Sequence, residues 1–233
     1  MTAHLTQAGS DSAAAPGTGS QPGFAYRLNR TAGPVALLLG AVMTVAGFAL
    51  HPTAESSNRA FVAWIDAHAT QWAAAHLLIG IGLGLLAAGI GSALRLASGK
   101  GARFLTVGVI AAAIGTVGMG YDAIAHGMLG YALTGQPKLP LALSAHIQSS
   151  YLSLPFAAWS NVAAVAFPLG VLALGIGALR SRRIPVWSAV LLLLGPVGIQ
   201  FAGAGPLELL GALPLVIGFA AITRAALASP SAR

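Results

Sequence analysis

The sequence predicts an all-α polytopic membrane protein, a bundle of six transmembrane helices with both termini on the cytoplasmic side. Three observations predict it. First, 56% of the 233 residues are hydrophobic and 7% charged, and the mean hydropathy is +0.80, so polar side chains are too few to cover a water-facing surface. Second, six apolar segments approach the roughly 20 residues that cross a hydrocarbon core of about 30 Å. They are 32–50, 72–95, 104–126, 155–179, 184–203 and 206–227. Third, the basic residues are sorted. Those spans leave Arg27, Arg30, Arg95, Lys100, Arg103, Arg180, Arg182, Arg183, Arg224 and Arg233 on one side and only Arg59 and Lys138 on the other. Short loops that keep Lys and Arg are cytoplasmic, which puts both ends inside a plasma membrane and requires an even number of spans.

Each segment follows from the same physics. Unpaired backbone groups are costly in lipid, so every span should be a helix. Residues 1–28 are rich in Ala, Gly, Ser, Thr and Gln and read as a disordered cytoplasmic tail. Residues 29–228 form the membrane domain, and 229–233 a short cytoplasmic tail. The first span is longer than a secretory h-region and is read as a retained helix. With no cysteine, disulfides, thiolate ligands and iron–sulfur clusters are excluded. The net charge of +7 reads as topology plus attraction to anionic lipid, and no basic and aromatic interleaving points to nucleic acid. "GIGSALR" ends the second span and "GIGALR" the fourth, an echo that fits either a duplicated hairpin or convergence on small residues before an inner arginine.

Polar residues within the spans are few and gather towards the outer surface. Asp122 and His126 stand four residues apart in "GYDAIAHG". Ala111, Gly115, Gly118, Asp122 and His126 follow helical spacing down one face, and small residues mark close approach of a neighbouring helix. His76, Gly80, Gly84, Ala87 and Gly91 form a similar stripe on the second span. Ionisable groups on such stripes are expected to face the bundle interior, where they pair or function. His76, Asp122 and His126 are therefore the candidate site, with Asn161, Gln200 and Glu208 as further lining. A structural reading competes: Asp122 simply accepts a hydrogen bond from His126 or His76.

Other polar groups have local explanations. Glu208 follows Gly205 and Pro206 in a first helical turn, where a carboxylate suits the helix dipole. His51, His68 and His146 are expected in water, and Trp64, Trp72, Trp159 and Trp187 as interfacial anchors. Pro168, Pro196 and Pro214 are expected to bend the last three spans.

Three chemistries suit the candidate residues. Asp122 and His126 at i, i+4, with His76 from a neighbouring helix, can ligate a metal, or two histidines a haem, or the group can bind a small ligand. Alternatively Asp122 serves as the general acid or base of a membrane enzyme acting on a lipid-phase substrate. A scaffold or accessory subunit needs no site. Coupled transport is disfavoured because no acid lies in the inner half of the spans. The stretches "HPTAESSNRAFVAWIDAHATQWAAAHLLIGIG" and "LGIGALRSRRIPVWSAVLLLLG" resemble those of small multi-span membrane proteins of actinobacteria. That resemblance covers most of residues 30–227 and implies the membrane bundle, but no activity and no catalytic residue.

Overall fold

A computed structural model describes residues 24–51, 57–134, 139–153, 155–202 and 206–229. Among these residues there are eight α-helices: α1 (Phe24–Leu50), α2 (Asn58–Ala67), α3 (Ala69–Ile90), α4 (Ala102–Leu133), α5 (Leu141–Ser153), α6 (Pro155–Ser181), α7 (Val186–Ala202) and α8 (Leu209–Ala228). Short 3₁₀ turns cover Gly91–Leu96, Gly99–Gly101 and Pro206–Glu208. α1 starts at Phe24, so helix reaches into the segment expected to be tail; the rest of that tail lies outside the described residues.

Among the described residues five helices are long and apolar enough to cross a membrane: Arg30–Leu50, Ala69–Leu96, Gly99–Leu133, Ala158–Ser181 and Leu209–Ala228. The fifth expected span is shorter than its sequence suggested. α7 has 17 residues, about 25 Å at 1.5 Å per residue, because Pro185 marks its start and keeps the preceding arginines out of the helix. α4, by contrast, continues through Leu133, seven residues past the expected end at His126.

The long helices pack in a closed ring. α1 lies on α3, α3 on α4, α4 on α6, α6 on α7, α7 on α8, and α8 returns to α1. Arginines close one end of the ring, bonding carbonyls left open at the end of α8 and, at Arg30 O, by Pro34 four residues on, which has no N–H to donate. Arg30 Nη2 donates to Leu227 O and Ser229 O (both 3.3 Å), and Arg95 Nη1 to Arg30 O (2.7 Å). Arg180 Nε reaches Lys100 O (3.2 Å), and Arg183 reaches Ser98 Oγ. The start of α1, the α3–α4 turn, the α6–α7 turn and the end of α8 therefore share one end. At the opposite end the short helices α2 and α5 pack on each other and on α4.

Small residues hold the ring together and large ones face out. On α4 the exposed side chains Val107, Ile110, Ile114, Val117, Tyr121, Ile124, Met128 and Tyr131 recur at three- and four-residue spacing, a continuous apolar face suited to lipid. Its other side is small. A methyl on Gly115 would strike the Phe167 backbone of α6, and one on Gly118 the Ala163 side chain, the close approach expected of small-residue interfaces. Gly80 likewise abuts Ile124 of α4. Gly84 corrects the expected stripe, since a methyl there would meet nothing within 4 Å. α3 instead meets α1 through Gly82, next to Gly40 and Thr44, and Gly89, next to Gly33 and Leu37.

All six ring helices contribute to a central apolar cavity of about 120 Å³. Pro168 of α6 and Pro196 of α7 stand in its wall with Phe48, Met119, Phe167 and Phe219. Pro214 lies within α8, and Pro34 is a further proline within α1. The Pro34 carbonyl accepts from Thr223 Oγ1 (3.0 Å), which ties α8 to α1.

Candidate functional site

The site lies at the end of the ring remote from the arginines, and its depth follows from helix length. Asp122 is 20 residues along α4 from Ala102, about 30 Å at 1.5 Å per residue, or one full hydrocarbon thickness. His76 is 14 residues from the α-helical end of α3 at Ile90, and the 3₁₀ turn beyond it brings the residue to a similar level.

Two sets of contacts meet there. In the first, Asp122 accepts from Tyr151 Oη of α5 (3.1 Å) and from Ser160 Oγ of α6 (2.9 Å), both on Oδ1. These donors replace the imidazole donor that the spacing within α4 suggested. In the second, aromatic rings pack around His76. Its ring centroid is 3.8 Å from Trp72, 5.0 Å from His51 and 5.6 Å from His126. His126 bridges the sets, stacking on Tyr151 at 5.8 Å with an interplanar angle of 15°, while Phe61 of α2 covers Trp72 and His126.

Local backbone geometry orients these rings. His76 Nδ1 is 3.0 Å from Trp72 O, one turn back on α3. A carbonyl only accepts, so Nδ1 holds the proton of the neutral imidazole and Nε2 keeps its lone pair. Trp72 Nε1 donates to Gly127 O of α4 (3.2 Å). Gly127 has to be glycine for this fit, because a methyl there would collide with His76 Cβ.

Tyr151 belongs to α5, outside the spanning helices. Burial first, then the charge of Asp122 and the hydrogen bond to it, push its phenol above the ordinary value of 10.0. It therefore stays a donor through the physiological range.

The expected site residues separate into those brought together and those elsewhere. His76 and His126 pack together, with ring centroids 5.6 Å apart, and Asp122 stands one turn before His126 on α4. Asn161 lies on the exposed side of α6, away from Ser160. The side chain of Gln200 is outside the described residues. Glu208 ends the 3₁₀ turn before α8, packed towards α1 and α7, and its side chain makes no capping hydrogen bond. Burial instead pushes its carboxyl up to about 7.

Two residues assigned to water or to the interface join the cluster. His51 is half-buried against Trp72 and His76, and Trp72 is fully buried. Phe61 and Tyr151 carried no sequence signal, since they stand on helices too short to register as spans. Trp159 and Trp187 are exposed, and Trp64 stacks on His68 at 4.4 Å.

A lateral groove of about 350 Å³ runs between α3 and α4, with His76 and Gly127 among its lining and exposed Leu77, Met128 and Tyr131 at its side. Among the described residues no group of three His, Asp or Glu side chains is placed to hold a metal ion. No protein-family model matches the chain, and no curated protein or solved structure matches it either.

Proposed function

We propose that this is a six-span plasma-membrane protein with both termini cytoplasmic, whose His/Asp centre near the outer surface binds a small lipid-phase molecule. The observation that carries the reading is the α3–α4 groove, which places buried His76 on the lipid-facing side of the bundle. A molecule dissolved in the bilayer reaches the centre there without crossing water. Asp122 does not line the groove; it accepts from Tyr151 of α5 and Ser160 of α6, so it holds those helices beside His126 rather than facing the ligand. His76 Nε2 supplies an acceptor and the surrounding rings an apolar wall. This donor set favours an organic ligand over a metal or haem.

An enzymatic reading is favoured by one contact, Tyr151 to Asp122. A phenol and a carboxylate sharing a hydrogen bond can relay a proton, with Asp122 as general base or acid towards a lipid-phase substrate. In either reading the short α7 completes the ring as the sixth crossing. The shared end of α1 and α8, with its arginines, supports an even number of crossings and the cytoplasmic placement of that end. We extend the resemblance to small actinobacterial membrane proteins only to this architecture.

Solvent extraction and mass spectrometry of the protein purified in mild detergent test the ligand. One organic molecule per chain is expected from the wild type and none from His76→Ala. No molecule in either preparation overturns ligand binding and leaves the scaffold reading, while stoichiometric metal or a Soret band overturns the organic ligand. Conversion of an added lipid by the wild type but not by Asp122→Asn establishes the enzyme. Topology is tested in the cysteine-free background. An impermeant thiol reagent should label Ser149→Cys on intact cells, and Ser98→Cys and Ser229→Cys only after permeabilisation; opposite labelling of Ser98→Cys and Ser229→Cys overturns the six-span count.

A further inference from the structure

The arginine end carries a second cleft, unrelated to the His/Asp centre. It lies between α7 and α8, has a volume of about 520 Å³, and is lined by Arg183, Trp187, Ser188, Ile217, Ala221 and Arg224 among others. Its upper part is cationic and its lower part apolar. Arg183 and Arg224 are both exposed, and Arg183 is braced by Ser98 Oγ, which accepts from Nε and Nη2 (3.4 and 3.3 Å). Bracing of this kind orients a guanidinium for a phosphate with little further loss of side-chain freedom.

No described carboxylate shares this end. Asp66 and Asp122 stand at the opposite end of the ring, and Glu208 is 16 residues from Arg224 along α8, about 24 Å. The cleft is therefore cationic without an internal counter-charge among the described residues.

Two features point to a ligand rather than to bare surface charge. Ser188 lines the cleft and is fully buried, yet its Oγ has no hydrogen-bond partner among the described residues, a state that is costly unless something external satisfies it. The N-terminus of the 17-residue α7 also opens beside Arg183, adding the positive end of a helix dipole. Below this level, exposed Ile217 and the small side chains Ala220 and Ala221 make an apolar trough. Trp187 stands exposed at its edge, as an indole at the head-group level does.

We propose that this cleft binds one anionic phospholipid, with its phosphate between Arg183, Arg224 and the α7 N-terminus and an acyl chain along Ile217 and Ala221. The charge of the cleft selects the anionic head group, and the trough requires an attached chain.

Native mass spectrometry of the full chain, released from micelles holding equal amounts of phosphatidylglycerol and phosphatidylcholine, tests this. The wild type should retain one phosphatidylglycerol in preference to phosphatidylcholine. The double variant R183Q/R224Q should lose that retention by about tenfold or more, as expected from removing two lipid-facing charges. R103Q/R182Q removes the same charge from the same end outside the cleft and should keep it. Ala221→Trp fills the trough without changing charge and should abolish it. Equal retention of both lipids by the wild type, equal loss in the two arginine pairs, or full retention in Ala221→Trp overturns the proposal.

Discussion

The phenol of Tyr151 donates to Asp122 Oδ1 at 3.1 Å across 29 residues of chain, fastening the short helix α5 to the spanning helix α4. Hydrogen bonds within membrane bundles contribute about 0.6 kcal/mol on average and up to about 1.7. Tyr151→Phe and Asp122→Asn should each lower stability by about 1 kcal/mol, and a double-mutant cycle should show them to be coupled. Thermal unfolding in detergent of the two single variants and the double variant checks this. Strict additivity would mean that the contact contributes nothing.

The same phenol predicts an alkaline limit. Its folded pKa lies above the unfolded value of 10.0, so between the two the folded state holds the proton more tightly. The resulting stability is fully present below pH 10 and is lost as pH rises towards the folded value. Tyr151→Phe should flatten the fall in unfolding temperature above pH 10.

Glu208 makes the corresponding case near neutrality, with the same sign. Burial raises its carboxyl from 4.5 to about 7, so ionisation opposes folding. Stability should decline as pH rises from about 4.5 through 7, and Glu208→Gln should remove that decline. Unfolding temperatures across pH 4 to 8 in both proteins decide it.

Glycines of one helical pattern should respond oppositely. A methyl at Gly127 collides with His76 Cβ, whereas one at Gly84 meets nothing within 4 Å. Gly127→Ala should cost about 1–3 kcal/mol through overpacking and displace the His76 ring. Gly84→Ala should be neutral or stabilise by up to about 1 kcal/mol, because alanine is the better helix former. Unfolding in detergent measures both, and imidazole NMR reports the displaced ring.

At the opposite end, Arg95 Nη1 donates to Arg30 O at 2.7 Å and to Ala226 O at 3.5 Å, joining the end of α3 to α1 and α8. Arg95→Gln should lower stability by about 1 kcal/mol, with the exposed position limiting the loss. An unchanged midpoint would show the contact to be energetically silent.

Helical class and the membrane as solvent were legible because both depend on composition summed over some 20 residues, and such sums tolerate local error. Helix ends were less so. α7 proved short and α4 long because Pro185 and the packing of α2 and α5 on α4 act on a scale that an apolar window averages away. Facing was the hardest to read. In lipid both the core side and the outer side of a helix are apolar, so His76, Gly80 and Gly84 formed one plausible stripe even though only the first two are packed. The difference lay in size, with small residues towards neighbours and Val, Ile and Leu towards lipid.

The chain order alone carried the apolar spans, the sorted arginines, and the placing of Asp122 and His126 one turn apart near a membrane boundary. Periodicity and charge require no knowledge of which helices touch. Folding decided that Asp122 is satisfied by Tyr151 and Ser160, and that His51 and Trp72 leave the water and the interface to pack on His76. It also decided that Ser188 is buried with no hydrogen-bond partner for its Oγ among the described residues, in a cleft that Arg183 and Arg224 also line. Each of those facts depends on contacts between residues distant in the chain, set by the closure of the ring from α8 back to α1.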